Sequence, residues 1–361
     1  MIRTLAGSGA AFVITLALVP LVRSFCNRAQ ILDRPGALKI HAQPIPRLGG
    51  VAIFVGVLAG LIASREHILV AQSPLLSAML LIWLVGLLDD LWGLHPGLRL
   101  LAQLATGVLL WREGWHFWFA PGEIASLLVV CSVVLLFTNA FNFLDGSDGL
   151  AAGVACAIAF SFALLPASTT GPHGPTLAFV VAATCVAFLF ENFPPARIFA
   201  GDGGSTLLGF LIAVLSLQSA NATSGGRQMV LFPFAVAALP IFDALRIVVR
   251  RIAHGVSPLF GDRLHIYDQL LAKCWTPRTV ALTAWSITAL CGAFSIVIIR
   301  AGASGLWLLL PFAAVAAWIL TVASPQKQSI ACTEPHECTN DCNADQQREV
   351  LNGMSGGTFQ P

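Results

Sequence analysis

Long apolar runs dominate the chain, and short polar segments interrupt them. Eleven runs are long enough, or nearly so, to cross a bilayer of roughly 30 Å. They lie near 5–26, 48–64, 74–90, 97–112, 123–141, 149–166, 176–191, 204–220, 229–251, 279–299 and 304–324. In hydrocarbon only a helix or a closed barrel satisfies every backbone group, and runs of this length and apolar continuity predict helices. The expected fold is therefore all-α: a polytopic integral membrane protein with about 10–11 transmembrane helices and cytoplasmic loops. The membrane domain should span 1–324. The polar, aperiodic segment 325–361 reads as a cytoplasmic, disordered tail. Cys332, His336, Cys338 and Cys342 in it match no usual zinc spacing.

Composition agrees with this reading. The 361 residues are 57% hydrophobic and 11% charged, whereas a soluble domain carries about 25% charged residues. The net charge of +2 gives no footprint for nucleic acid. No clear small-residue cleavage site follows the first run, which reads as a retained helix.

Lys and Arg set the orientation. The loop after the first run holds Arg28, Arg34, Lys39 and Arg47. The loop after the ninth holds Arg250, Arg251, Arg263, Lys273 and Arg278. Alternation puts both on one side, expected to be cytoplasmic. The aspartates test that assignment because they did not enter it. Asp89, Asp90, Asp145, Asp148, Asp202, Asp262 and Asp268 all fall on the same side. Asp243 is the exception, lying within the ninth run one helical turn before Arg246, a spacing that allows an ion pair.

Four polar stretches on that side carry candidate chemistry. "GLLDD" ends the third run with adjacent Asp89 and Asp90, and like charges this close need a cation or a shifted pKa. "NAFNFLDGSDGL" (139–150) offers Asn139, Asn142, Asp145 and Asp148 among turn-forming glycines. Their oxygens are hard ligands suited to magnesium. An Asx turn or helix cap would account for one aspartate and leave the second, with both asparagines, unexplained. "NFPPARIFAGDGGSTLLG" (192–209) puts Asn192 and Asp202 before an apolar helix, whose N-terminus can bind phosphate. "SPLFGDRLHIYDQL" (257–270) supplies Arg263 and His265 as phosphate partners or acid–base groups. The first loop adds Lys39 and His41 in a Pro/Gly frame. Carboxylates for a metal and cations for phosphates, gathered at one membrane face, are what phosphoryl transfer needs. A transporter is the competing class, but its charges would gather near the bilayer midplane, with repeated halves.

In that order, these motifs, with "DRPGALKIH…PIPRLGG" and "LPIFD", resemble the polyprenyl-phosphate N-acetylhexosamine-1-phosphate transferases over roughly residues 1 to 324. The resemblance implies attack by undecaprenyl phosphate on the β-phosphate of a UDP-N-acetylhexosamine, with magnesium, or manganese in its place, as cofactor. It implies Asp202 as the main metal ligand and Asp89 and Asp90 as the acidic pair near metal and lipid phosphate, either one a candidate base. Asn142, Asp145 and Asp148 would shape the nucleotide and metal pocket, with Lys39, His41, Asn139 and Asn192 as further substrate contacts. Arg263 and His265 would meet the substrate phosphates. Two departures matter. "QPIPRLGG" stands where the phospho-muramoyl-pentapeptide branch typically shows "TPTMGG". His265-Ile266-Tyr267-Asp268 replaces a His-Ile-His-His run, so only its first histidine is present. Both point toward a GlcNAc or modified-HexNAc enzyme that initiates a surface polysaccharide, such as an O-antigen. Membrane lipids are the other expected partners, and the sequence is compatible with a homodimer.

Overall fold

The structure is a computed structural model that describes residues 2–36, 43–64, 74–112, 114, 117, 119–120, 122–170, 174–222, 226–257 and 264–323. It is helical almost throughout. The helices are α1 (Ile2–Ala29), α2 (Gly49–Ala63), α3 (Pro74–Trp92), α4 (Pro96–Trp111), α5 (Gly122–Leu144), α6 (Leu150–Ala163), α7 (Ala167–Thr170) and α8 (Gly174–Asn192). They continue with α9 (Gly201–Asn221), α10 (Gly226–Val236), α11 (Ala238–Ala253), α12 (Ile266–Ala272), α13 (Pro277–Arg300) and α14 (Leu309–Val322). Seven helical segments among the described residues are long and apolar enough to cross a membrane, and α10 with α11 makes an eighth if the bent pair is one span. The protein is a multi-pass membrane protein.

Each apolar run became helix, with one correction. The run 229–251 was expected as one span, but it is two helices bent by 70° at a break after Val236. Pro240 explains the break. It has no N–H to give the Val236 carbonyl, and its ring clashes with that carbonyl in a continuous helix. Pro240 is tolerated because it falls in the first turn of α11. Asp243, in α11 beyond the bend, bonds to His265 and Ile266.

The centre of the bundle is α9, whose spanning window is 94% buried. It packs against α2, α3, α5 and α6. Lipid tails are as apolar as leucine, so such packing depends on close approach through small residues. Gly209 lets α9 lie on the backbone of Phe137 in α5, where an added Cβ would sit 2.5 Å from the Phe137 carbonyl. Gly86 does the same for α3 against Asp202 and Gly203. Gly50 of α2 meets the backbone of Gly203 and Gly204.

A short clasp fixes the start of α2. Two strands, β1 (Leu32–Asp33) and β2 (Ile45–Pro46), pair antiparallel. The chain then docks on the segment before α9: Phe199 N–H donates to the Pro46 carbonyl at 2.8 Å, Gly49 N–H to Phe199 at 2.9 Å and Gly50 N–H to Ala200 at 2.8 Å. The two glycines of "PRLGG" therefore serve backbone contact. A prediction follows from this packing. Gly50→Ala should abolish the monodisperse peak in fluorescence-detected size-exclusion chromatography. Gly9→Ala, facing open space on α1, should leave it unchanged.

Candidate active site

The polar residues at the ends of α3, α4, α5 and α9 meet in one cluster. Local sequence explains how each arrives. Gly93, with φ +67°, ends α3 in the left-handed conformation that glycine accepts cheaply. His95 then caps α4 by accepting the Gly97 N–H, and Pro96 occupies its first turn. This tight return sets Arg99 opposite Asp89, and an Arg99 Nη1–Asp89 Oδ2 distance of 2.8 Å results. The other oxygen of Asp89 accepts the Leu94 N–H, so the turn is held by the carboxylate it presents.

Asp202 enters from the first turn of α9. Its Oδ2 lies 3.3 Å from the same Arg99 nitrogen, and its Oδ1 accepts from the Asn142 amide at 2.5 Å. Asp89 and Asp202 also lie within hydrogen-bonding reach of each other. Two carboxylates thus share one guanidinium, and Asn142, near the end of α5, closes the third side.

Asp90 is turned elsewhere. Its two oxygens accept the N–H groups of Asp202 at 2.9 Å and Gly203 at 3.0 Å. It is a buried carboxylate spent on the N-terminus of α9, where the unpaired N–H groups and the helix dipole favour negative charge. Gly201, with φ +70°, admits it: an added Cβ would lie 2.5 Å from Asp90 Oδ2. Arg47 of "PRLGG" adds an attractive charge to Asp90.

The remaining expected residues separate into supports and a second cluster. The Asp148 carboxylate accepts the Ala196 N–H at 2.9 Å, and the Asn192 amide donates to the Ile198 carbonyl at 2.8 Å. Arg278 of α13 donates to the Pro194 carbonyl at 2.8 Å. All three fasten the segment 193–200 that delivers Asp202. Asn139, one turn before Asn142, donates to Gln103 Oε1 at 2.7 Å and so ties α5 to α4. Asp145 sits half-buried just beyond α5. His265 is bonded to Asp243 at 2.8 Å, and the Asp243–Arg246 pair allowed by the sequence spacing is present at 3.2 Å. Lys39, His41 and Arg263 lie outside the described residues.

Among the described residues, no three His, Cys, Asp or Glu side chains form a ready metal cage. The cluster nevertheless suits a hard divalent cation. Magnesium retains waters and takes one or two protein carboxylates together with substrate phosphates, and Asp89 and Asp202 supply that number. An Asn142 amide rotated by half a turn would add a carbonyl oxygen. Three carboxylates meeting two guanidinium groups also leave the cluster short of positive charge.

Residues 73–220 match the family described as glycosyl transferase family 4. The chain is 32% identical over 318 residues to a probable undecaprenyl-phosphate N-acetylglucosaminyl 1-phosphate transferase of Bacillus subtilis, covering 85% of this chain and 87% of that protein. The chain belongs to the polyprenyl-phosphate N-acetylhexosamine-1-phosphate transferase family. Other relatives are a decaprenyl-phosphate N-acetylglucosaminephosphotransferase of Mycolicibacterium smegmatis, at 30% identity over 72% of this chain and 73% of that protein, and an undecaprenyl-phosphate alpha-N-acetylglucosaminyl 1-phosphate transferase of Escherichia coli K12, at 27% over 74% and 76%. The match 73–220 contains Asp89, Asp90, Arg99, Asn142 and Asp202.

Arg99 is the site residue that reading the sequence missed. The available signal was its place one turn into the helix that follows "LDD". Its pairing makes a prediction. Arg99→Met strands two carboxylates and should lower stability by about 1–3 kcal/mol, less than a fully buried pair because the guanidinium is partly exposed. The thermal midpoint in detergent reads this, and adding Asp202→Asn to Arg99→Met should recover most of the loss.

Proposed function

We propose that this family member transfers GlcNAc-1-phosphate from UDP-GlcNAc to undecaprenyl phosphate at the cytoplasmic face of the bacterial inner membrane. The observation that carries the proposal is the convergence of Asp89, Asp202, Arg99 and Asn142 at one end of a membrane bundle. A lipid phosphate and a soluble nucleotide can meet there, whereas a transporter would hold its polar groups near midplane. The names of the Bacillus and Escherichia relatives support the sugar and the lipid. The Lys and Arg asymmetry supports the cytoplasmic orientation.

In this reading an oxygen of the lipid phosphate attacks the β-phosphorus of the sugar nucleotide. The bond from that phosphorus to the oxygen bridging the α-phosphate breaks, and UMP leaves with its electron pair. The sugar remains on the β-phosphate, now joined to the lipid phosphate as a diphosphate. Asp89 and Asp202 are the residues that would hold magnesium, or manganese in its place, with Asn142 as a third oxygen donor. When bound, such an ion supplies positive charge to the diphosphate. Arg99 adds charge from the protein itself, and the start of α9 contributes backbone N–H groups and its dipole. The lipid phosphate is already an anion at neutral pH, so the step needs no strong base. Asp90, both of whose oxygens serve α9, is assigned to building the site, and Asp89 to the metal. Asp148 and Asn192 act by holding the loop before α9, and the lipid-linked product is suited to starting a surface polysaccharide.

Transfer of tritium from UDP-[³H]GlcNAc to undecaprenyl phosphate by the purified enzyme tests this. Activity is expected with magnesium and should be lost on chelation. Asp202→Asn should lower kcat by at least about 100-fold, the scale of losing a principal electrostatic contributor to the transition state. No turnover with any UDP-HexNAc would overturn the proposal.

A further inference from the structure

Asp243 takes no part in the reaction as described, yet it is among the most buried charged groups in the protein, at 2% exposure. Its surroundings are specific. Oδ2 lies 2.8 Å from His265 Nδ1. Oδ1 accepts the Ile266 N–H at 2.9 Å and an Arg246 nitrogen at 3.2 Å. Arg246 also donates to the Leu264 carbonyl. One carboxylate in α11 therefore organises both neighbours of His265 as well as the imidazole itself.

Aromatic contacts fix the remaining freedom of the ring. Tyr267 lies parallel to it, with centroids 5.5 Å apart and an interplanar angle of 0°. Phe143, the residue after Asn142, packs against it at 5.4 Å. The Tyr267 hydroxyl lies against Gly146, where no Cβ would fit. Through Phe143 and Tyr267 the imidazole is seated on the "NFLDGSDG" segment that also supplies Asn142.

A carboxylate only accepts, so the hydrogen between Asp243 and His265 belongs to Nδ1. Nε2, on the opposite edge of the ring, is the nitrogen left for substrate. Resting on the transferase reading above, we propose that Asp243 is the positioning residue of His265. It fixes the tautomer and plane of the imidazole so that Nε2, left as an acceptor, takes a hydrogen bond from a hydroxyl group of the sugar nucleotide. The bond to Ile266 N–H allows a plainer role, in which Asp243 merely anchors the start of α12, and the experiment separates the two.

The test uses the full-length enzyme in lipid nanodiscs, as wild type, Asp243→Asn, His265→Gln and the double variant. ¹⁵N NMR of histidine-labelled protein reads the tautomer, with His265→Gln assigning the signal. Wild type should carry its hydrogen on Nδ1. In Asp243→Asn the amide oxygen keeps Ile266 and Arg246, its NH₂ faces Nδ1, and the hydrogen should move to Nε2. With UDP-GlcNAc, Asp243→Asn should lower kcat roughly 10- to 100-fold, as loss of an orienting partner does. KM should change by no more than about twofold, since a contact made chiefly in the transition state is lost. The double variant should be no slower than His265→Gln alone. An Nε2–H tautomer in wild type, an unchanged tautomer in Asp243→Asn, or multiplicative losses in the double variant would overturn the proposal. A wild type that transfers no sugar would instead count against the transferase reading, and the NMR signature would still decide the role of Asp243.

Discussion

Helix α9 begins inside the protein, with almost all of its length enclosed by other helices. Its first N–H groups have no carbonyl of their own, and unmet donors away from water cost several kcal/mol each. Asp90 answers two of them, reaching from the end of α3 to Asp202 and Gly203. That pair of charge-assisted hydrogen bonds ties the last turn of one helix to the first turn of another. It also sets the backbone of Asp202, from which the side chain extends to Arg99 and Asn142. Gly86 and Gly201 lie along this junction, where an added Cβ would meet the Asp202 carbonyl at one and the Arg47 carbonyl and Asp90 carboxylate at the other.

From that restraint comes a division of labour between two neighbouring aspartates. On a helix, adjacent residues point about 100° apart, so Asp90 can face α9 while Asp89 faces α4. Asp90 closes the structure, and Asp89 joins Asp202 around Arg99. A like-charged pair held this near a bilayer is costly without a cation. Arg99 of the next helix supplies one such cation. In the proposed reaction a divalent ion would share that duty beside the substrate phosphates. The segment before α9 is fastened by Asp148, Asn192 and Arg278, so much of the surrounding polarity works to keep Asp202 in place.

The helical architecture was legible because in hydrocarbon apolar length leaves few alternatives: all eleven runs are helical, and seven of them lie in unbroken helical segments long and apolar enough to cross a membrane. The break at Pro240 was also written in the sequence, but hydropathy overrode it: both halves are apolar, and averaging hides a missing N–H. The site was legible as a set of residues. Asp89, Asp90, Asn142 and Asp202 do come together, as their shared side predicted. Their individual tasks were not legible, because a motif does not say which way a carboxylate turns. Asp90 resembled its neighbour until α9 was seen to start against it. Asp148 and Asn192 read as substrate contacts, and in the structure they also bond the backbone at Ala196 and Ile198. Arg99 and Asp243 were visible as charges, and the spacing allowed the Asp243–Arg246 pair, but Asp202 lies 103 residues from Arg99 and His265 lies 22 from Asp243.

The central claim is that Asp89 and Asp202, brought together by Asp90 and α9, form the seat of a divalent cation. Binding of Mn²⁺ to the purified, substrate-free protein, followed by electron paramagnetic resonance, tests it without reference to turnover. The account predicts one bound Mn²⁺ per chain, displaced by excess Mg²⁺ and lost in both Asp89→Asn and Asp202→Asn. Wild-type Mn²⁺ binding retained in both variants would contradict it.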